Sequence, residues 1–120
     1  MELEIRIPGQ ISTNDIYSSN PFSLGKVKHA FYEEVAYGCG KLSPITVYPV
    51  RLVFTFYLTG RRYDWVNCAG MAKMIEDGLR LSGVLKNDSP PYVSQGTIRV
   101  EKSKRKYPYC ILEVVENFAA

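Results

Sequence analysis

Five ionisable residues in the middle of the chain are of the types that handle phosphate and hard cations: Asp64, Lys73, Glu76, Asp77 and Asp88. Carboxylate oxygens are the ligands Mg²⁺ prefers, often with retained waters and substrate phosphate completing the octahedron. A lysine among them can orient or activate an attacking water, or neutralise a phosphate. The same residues also have ordinary structural uses. Asp64 can cap a helix, and Asp88, in Lys86-Asn87-Asp88-Ser89-Pro90-Pro91, can form a turn. Other chemistries have less to work with. The sequence has no P-loop, no Gly-x-Gly-x-x-Gly after a strand, no Gly-x-Ser-x-Gly and no His-Glu-x-x-His. The one histidine, His29, falls beside apolar neighbours on a helical stretch, where a structural or surface role is expected. Cys39, Cys68 and Cys110 are scattered among apolar residues with no Cys-x-x-Cys, so core thiols are expected rather than zinc or a disulfide framework.

A second feature is charge. Between Arg99 and Lys106 lie five bases (Arg99, Lys102, Lys104, Arg105, Lys106) and one acid, Glu101, against a net charge of +3 for the whole chain. A local basic patch suggests a polyanion partner; a solvated hairpin tip is the plainer reading. The nine tyrosines are spread along the chain, as expected for rings half-buried on sheet faces and loops. Trp65, beside Asp64, is expected to pack under the following helix rather than stack on a base.

These residues must be positioned by a small set of elements. Met1 to Pro8 alternates Leu3, Ile5 and Ile7 with Glu2, Glu4 and Arg6, the period of a strand. Ser12 to Gly25, rich in Ser, Asn, Pro and Gly, reads as a loop. Lys26 to Tyr37 has helical spacing, stopped by Gly38-Cys39-Gly40. Ile45 to Leu58 is a long strand, with Val50, Leu52, Phe54, Phe56 and Leu58 on one face and Arg51, Val53, Thr55 and Tyr57 on the other. From about Asn67 to Ser82 a second helix sets Cys68, Met71, Ala72, Ile75 and Leu79 in an apolar stripe. Opposite it lie Lys73, Glu76, Asp77 and Arg80, with Lys73–Asp77 and Glu76–Arg80 as i,i+4 pairs. Tyr92 to Val100 and Tyr107 to Val115 are strands joined through the basic turn. The order β-α-β-α-β-β predicts an α/β fold, a mixed sheet packed by two helices.

Length and composition agree with one domain spanning residues 1–120. Apolar residues are 46% and charged residues 22%, which excludes disorder as the main state. No apolar run approaches the roughly 20 residues of a membrane-spanning helix. The first eight residues lack the basic start and apolar core of a signal peptide, so a cytoplasmic location and no membrane partner are expected.

The ordered set of short motifs resembles the RusA family of phage and bacterial Holliday-junction resolvases, over most of the chain. Pro8 leads to Ser12-Thr13-Asn14-Asp15-Ile16-Tyr17, similar to that family's Pro…Ser-x-Asn-x-x-Tyr segment. The long strand runs into Arg61-Arg62-Tyr63-Asp64-Trp65-Val66-Asn67, where the family has basic residues followed by Asp-x-Asp-Asn. Lys73-Met74-Ile75-Glu76-Asp77-Gly78-Leu79 resembles its Lys-x-x-x-Asp-Ala-Leu helix, and Ser82 to Asp88 its Ala-Gly-Val-x-x-Asp-Asp turn. The resemblance implies a Mg²⁺-dependent homodimer, with Mn²⁺ as a substitute, that cuts opposed strands of a four-way junction in DNA recombination and repair. It implies catalytic roles for Asp64, Lys73 and Asp88, with Asp64 and Asp88 as metal ligands; Asp77, on the polar face of the helix, is a further candidate ligand. Arg61, Arg62, Asn14, Lys102, Lys104, Arg105 and Lys106 would hold DNA.

Two positions depart from the family pattern. Val66 stands where the second aspartate of Asp-x-Asp would be, and Asn87 where the Asp-Asp pair has its first. Valine cannot bind Mg²⁺, so the site is lost, rearranged around Glu76 or Asp77, or buried against a partner. A catalytically impaired DNA-binding module, or a phage-borne inhibitor built on the nuclease fold, is the alternative.

Overall fold

A computed structural model describes residues 1–60 and 63–118. Eight elements follow one another: β1 (Glu2–Arg6), α1 (Thr13–Ser18), α2 (Pro21–Cys39), β2 (Val50–Leu58), a 3₁₀ turn (Val66–Cys68), α3 (Ala69–Leu81), β3 (Val93–Lys102) and β4 (Tyr109–Val115). The strands form one mixed sheet in the order β1-β4-β2-β3. β2 pairs in parallel with β3, while β4 runs antiparallel to both β1 and β2. The α/β class and the mixed sheet are those the sequence predicts.

Alternation along the strands decides which face is covered. Leu3 and Ile5 of β1, Leu52, Phe54, Phe56 and Leu58 of β2, and Cys110, Leu112 and Val114 of β4 share one core with Phe31 and Val35 of α2 and Met71, Ile75 and Leu79 of α3. Both long helices therefore lie on the same side of the sheet. The opposite side carries Arg51, Thr55 and Tyr57 of β2, none of them fully buried. Cys39, Cys68 and Cys110 are buried free thiols, as expected. Burial pushes the Cys68 thiol up to about 11 and raises those of Cys39 and Cys110.

Three expectations are corrected. The stretch from Ser12 to Gly25 is helical over most of its length. Ser12 accepts a hydrogen bond from the Asp15 N–H and Asn20 one from the Ser23 N–H, and Pro21 opens α2. The residues that read as breakers are helix starters, because a hydroxyl or amide oxygen satisfies an orphan N–H of the first turn. Helix α2 also runs on through Gly38 to Cys39 and ends at Gly40, with φ of 54°. Strand β2 begins only at Val50; the Ile45 N–H is taken by the Val84 carbonyl instead. The third correction concerns the last two strands, which are not a hairpin. They flank β2 on opposite sides, so their basic connection passes the end of β2, where the Ser103 N–H bonds the Leu58 carbonyl.

Close approach of neighbouring elements explains two glycines. A Cβ at Gly38 would stand 2.7 Å from the Glu4 carbonyl oxygen, and one at Gly78 would stand 2.9 Å from the Val35 Cβ. These contacts seat α2 on β1 and α3 on α2. Among the described residues, no helix is long and apolar enough to cross a membrane.

Candidate functional site

Helix α3 places Lys73, Glu76 and Asp77 on one side of its second and third turns, since residues three and four apart are neighbours on a helix. After α3 the chain turns at Gly83, with φ of 79°, and the following loop brings Asp88 back to the same side. Asn87 makes the local turn, its Oδ1 accepting the Ser89 N–H, so the Asp88 carboxylate is left to reach the helix. Oxygens of Glu76, Asp77 and Asp88, one from each, all lie within 4.8 Å of one another. Hard oxygen donors at this spacing can hold a divalent cation after small side-chain adjustments. The cluster thus unites two of the expected ligands, Asp77 and Asp88, and adds Glu76.

The Lys73 ammonium sits among these oxygens. Its Nζ donates to Asp88 Oδ2 at 2.6 Å and lies 3.1 Å from Asp77 Oδ1 and 3.4 Å from Glu76 Oε1. The hydrogen bond to Asp88, supported by Asp77 and Glu76, raises the Lys73 pKa well above the ordinary ammonium range. The same bond holds the Asp88 carboxyl below its usual value. Glu76 moves the other way. Burial raises its carboxyl more than Lys73 lowers it, as expected of a half-covered acid beside two others. Lys73 is therefore a fixed cation at neutral pH. It can stabilise negative charge on a phosphate.

Arg80 reaches Asp77, at 3.6 Å, rather than the expected Glu76, because Glu76 is turned toward Lys73. Tyr32 of α2, which nothing in the sequence singles out, belongs to the same neighbourhood. Burial and the charge of Asp77 raise its phenol. Only the packing of α2 on α3 brings it there.

Asp64 is placed differently. It is not one of the three clustered acids, and its Oδ1 accepts the Asn67 N–H at 2.9 Å, closing the 3₁₀ turn. Trp65 does not pack under the helix but stands 61% exposed, and Val66 is 53% exposed. Val66 opens the 3₁₀ turn, Val66–Cys68, that precedes α3, so it lies outside that helix. The Val66 carbonyl is tied to α1 by the Thr13 hydroxyl, which in turn accepts the Gly70 N–H.

The expected DNA-holding residues divide. Arg61 and Arg62 lie outside the described residues. Asn14 is exposed on α1. Lys102 is the last residue of β3, and Lys104, Arg105 and Lys106 lie on the exposed connection after it. The Arg105 guanidinium is already committed, gripping Glu4 through both terminal nitrogens and lying 4.2 Å over the Tyr109 ring. Among the described residues, Lys102, Lys104 and Lys106 have no ion pair. His29 pairs with Glu33 at 2.9 Å on the exposed side of α2, a surface role as expected.

Neither a scan against protein-family models nor a search of the curated proteins returns a match to this chain.

Proposed function

We propose that the protein is a RusA-like endonuclease that hydrolyses phosphodiesters of branched DNA, Holliday junctions in particular, with a divalent cation held by Glu76, Asp77 and Asp88. The observation that carries this reading is the meeting of three carboxylates and a lysine from one helix and a returning loop. Bound there, Mg²⁺, or Mn²⁺ in its place, would polarise a phosphate oxygen and lower the pKa of a coordinated water. Lys73 supplies a permanent positive charge for the phosphate that enters. The exposed lysines at the end of β2 supply salt-sensitive affinity for the backbone. Two opposed cuts require two sites, so the acting form in this reading is a homodimer.

The test is cleavage of a labelled four-way DNA junction with Mg²⁺, with Mn²⁺ and with chelator, beside an Asp88→Asn variant. Paired, metal-dependent nicks that vanish in the variant are expected. A second reading is favoured by Val66, apolar and exposed where the resembled motif has a carboxylate, and by Asp64, engaged on the Asn67 N–H. In that reading the protein binds junctions without cutting them, or blocks another protein. Junction retention without nicks in every metal would establish the first form, and no DNA retention at all would favour the second and direct the search to a protein partner.

A further inference from the structure

Beside the carboxylate cluster, residues of α1, α2 and α3 line a half-open cleft of about 410 Å³. Its size falls in the range of small-molecule sites, about 300–1,000 Å³. Ile16, Leu24 and Met74 give it an apolar wall, and Lys73 and Asp77 are shared with the cluster. Gly70 sits where α1 approaches α3: a Cβ there would meet the Ile16 Cδ1, the movable end of that side chain, and would lie 3.5 Å from the Thr13 Cα. Two lining residues lack a partner among the described residues. Tyr17 stands 84% exposed and makes no ring contact among the described residues. Lys28 is partly covered yet has no ion pair among them.

We infer that this cavity takes one unpaired nucleotide of a DNA strand, its base against Tyr17 and the apolar wall and its phosphate between Lys28 and the carboxylate cluster. The inference rests on the reading of that cluster as a phosphodiester site. A half-apolar cavity with a free aromatic ring and a free ammonium matches the two ends of a nucleotide. Base–aromatic stacking tolerates any sequence because every base has a π-face. Enzymes that work on a nucleotide commonly draw it out of the stack, most cheaply where it is already unpaired, as at a branch point. The cavity of about 450 Å³ between α2 and β1 suits this ligand less, because its three acids, Glu4, Glu33 and Glu34, outnumber its one base, Arg6, which already lies over the Tyr107 ring.

The test is fluorescence anisotropy with a short labelled single strand, in Ca²⁺ to hold off cleavage. A strand of equal length and charge made wholly of abasic nucleotides is compared with it. The base-bearing strand should bind about tenfold tighter, and Tyr17→Ala should remove that preference. Lys28→Gln should weaken both strands. Equal affinity for the two strands, or a preference that survives Tyr17→Ala, would overturn the inference. So would displacement of the strand by free deoxyadenosine monophosphate at a similar concentration, which would make the ligand a free nucleotide. Because binding is read without cleavage, an inactive centre leaves the preference measurable. Junction nicking combined with equal affinities would overturn the cavity and spare the endonuclease.

Discussion

Lys73 occupies the place among the carboxylates that a bound cation would have to share. Its ammonium neutralises part of the charge of Glu76, Asp77 and Asp88, and so competes with any divalent ion. Removing it should therefore tighten metal binding while ending turnover. At the watery limit a unit charge about 4 Å away is worth about 1 kcal/mol, or roughly fivefold in affinity. Calorimetric titration of Lys73→Met with Mn²⁺ checks this against the native protein. Weaker binding in the variant would mean that Lys73 holds the acids together, and that the cluster is an ion-pair network rather than a cation site. Much of this group was legible from residue types and helical spacing, which put Lys73, Glu76 and Asp77 on one side of a helix. The return of Asp88 was suggested by its place in the loop after that helix and by the family resemblance. The engagement of Asp64 on the Asn67 N–H is the capping use its type and place suggest; the approach of Tyr32 was not legible, because it depends on how α2 packs on α3.

Elements meet here through backbone as much as through side chains, and glycine marks where. Gly25 and Gly38 lie in the same helix, α2, yet a Cβ at Gly25 would meet nothing within 4 Å, whereas one at Gly38 would meet the Glu4 carbonyl at 2.7 Å. Gly25→Ala should stabilise by about 0.5–1 kcal/mol through helix propensity. Gly38→Ala should destabilise by about 1–3 kcal/mol, because α2 must lift from β1. Opposite shifts of Tm in the two variants are expected; equal shifts would deny that α2 is seated on β1 at Gly38. The same strand is tied to the β3–β4 connection by Glu4 and Arg105. Arg105 holds the Glu4 carboxyl below its ordinary value of 4.5, so the pair's stabilisation is present above that pH and lost as the pH falls below it. The urea midpoints of the native protein and Glu4→Gln should therefore differ at neutral pH and converge in acid. Periodicity revealed the strands and the long helices. It failed at Ser12–Gly25, where cap residues and turn residues are the same amino acids, and at β3 and β4. Chain proximity suggested a hairpin there, but pairing is settled by which strands bury their apolar faces together.

At the scale of the whole molecule, the strand order determines where the positive charge goes. Since β3 and β4 lie on either side of β2, their connection is drawn across the end of β2. From that same end the chain leaves for the turn that starts α3. Exposed charge gathered at one end of a small domain acts on a polyanion through counterion release, which makes affinity fall with salt in proportion to the phosphates engaged. Lys102, Lys104 and Lys106 are free to act in this way, whereas Arg105 is held by Glu4. Replacing the three lysines by glutamine should lower the slope of log affinity against log salt by up to about 3 on a DNA junction, at roughly 0.9 per lost contact. Arg105→Gln should leave that slope nearly unchanged. Filter binding across a salt series separates the cases. An unchanged slope in the triple variant would place the polyanion elsewhere on the protein, and a large change in Arg105→Gln would mean that DNA displaces Glu4 from its arginine.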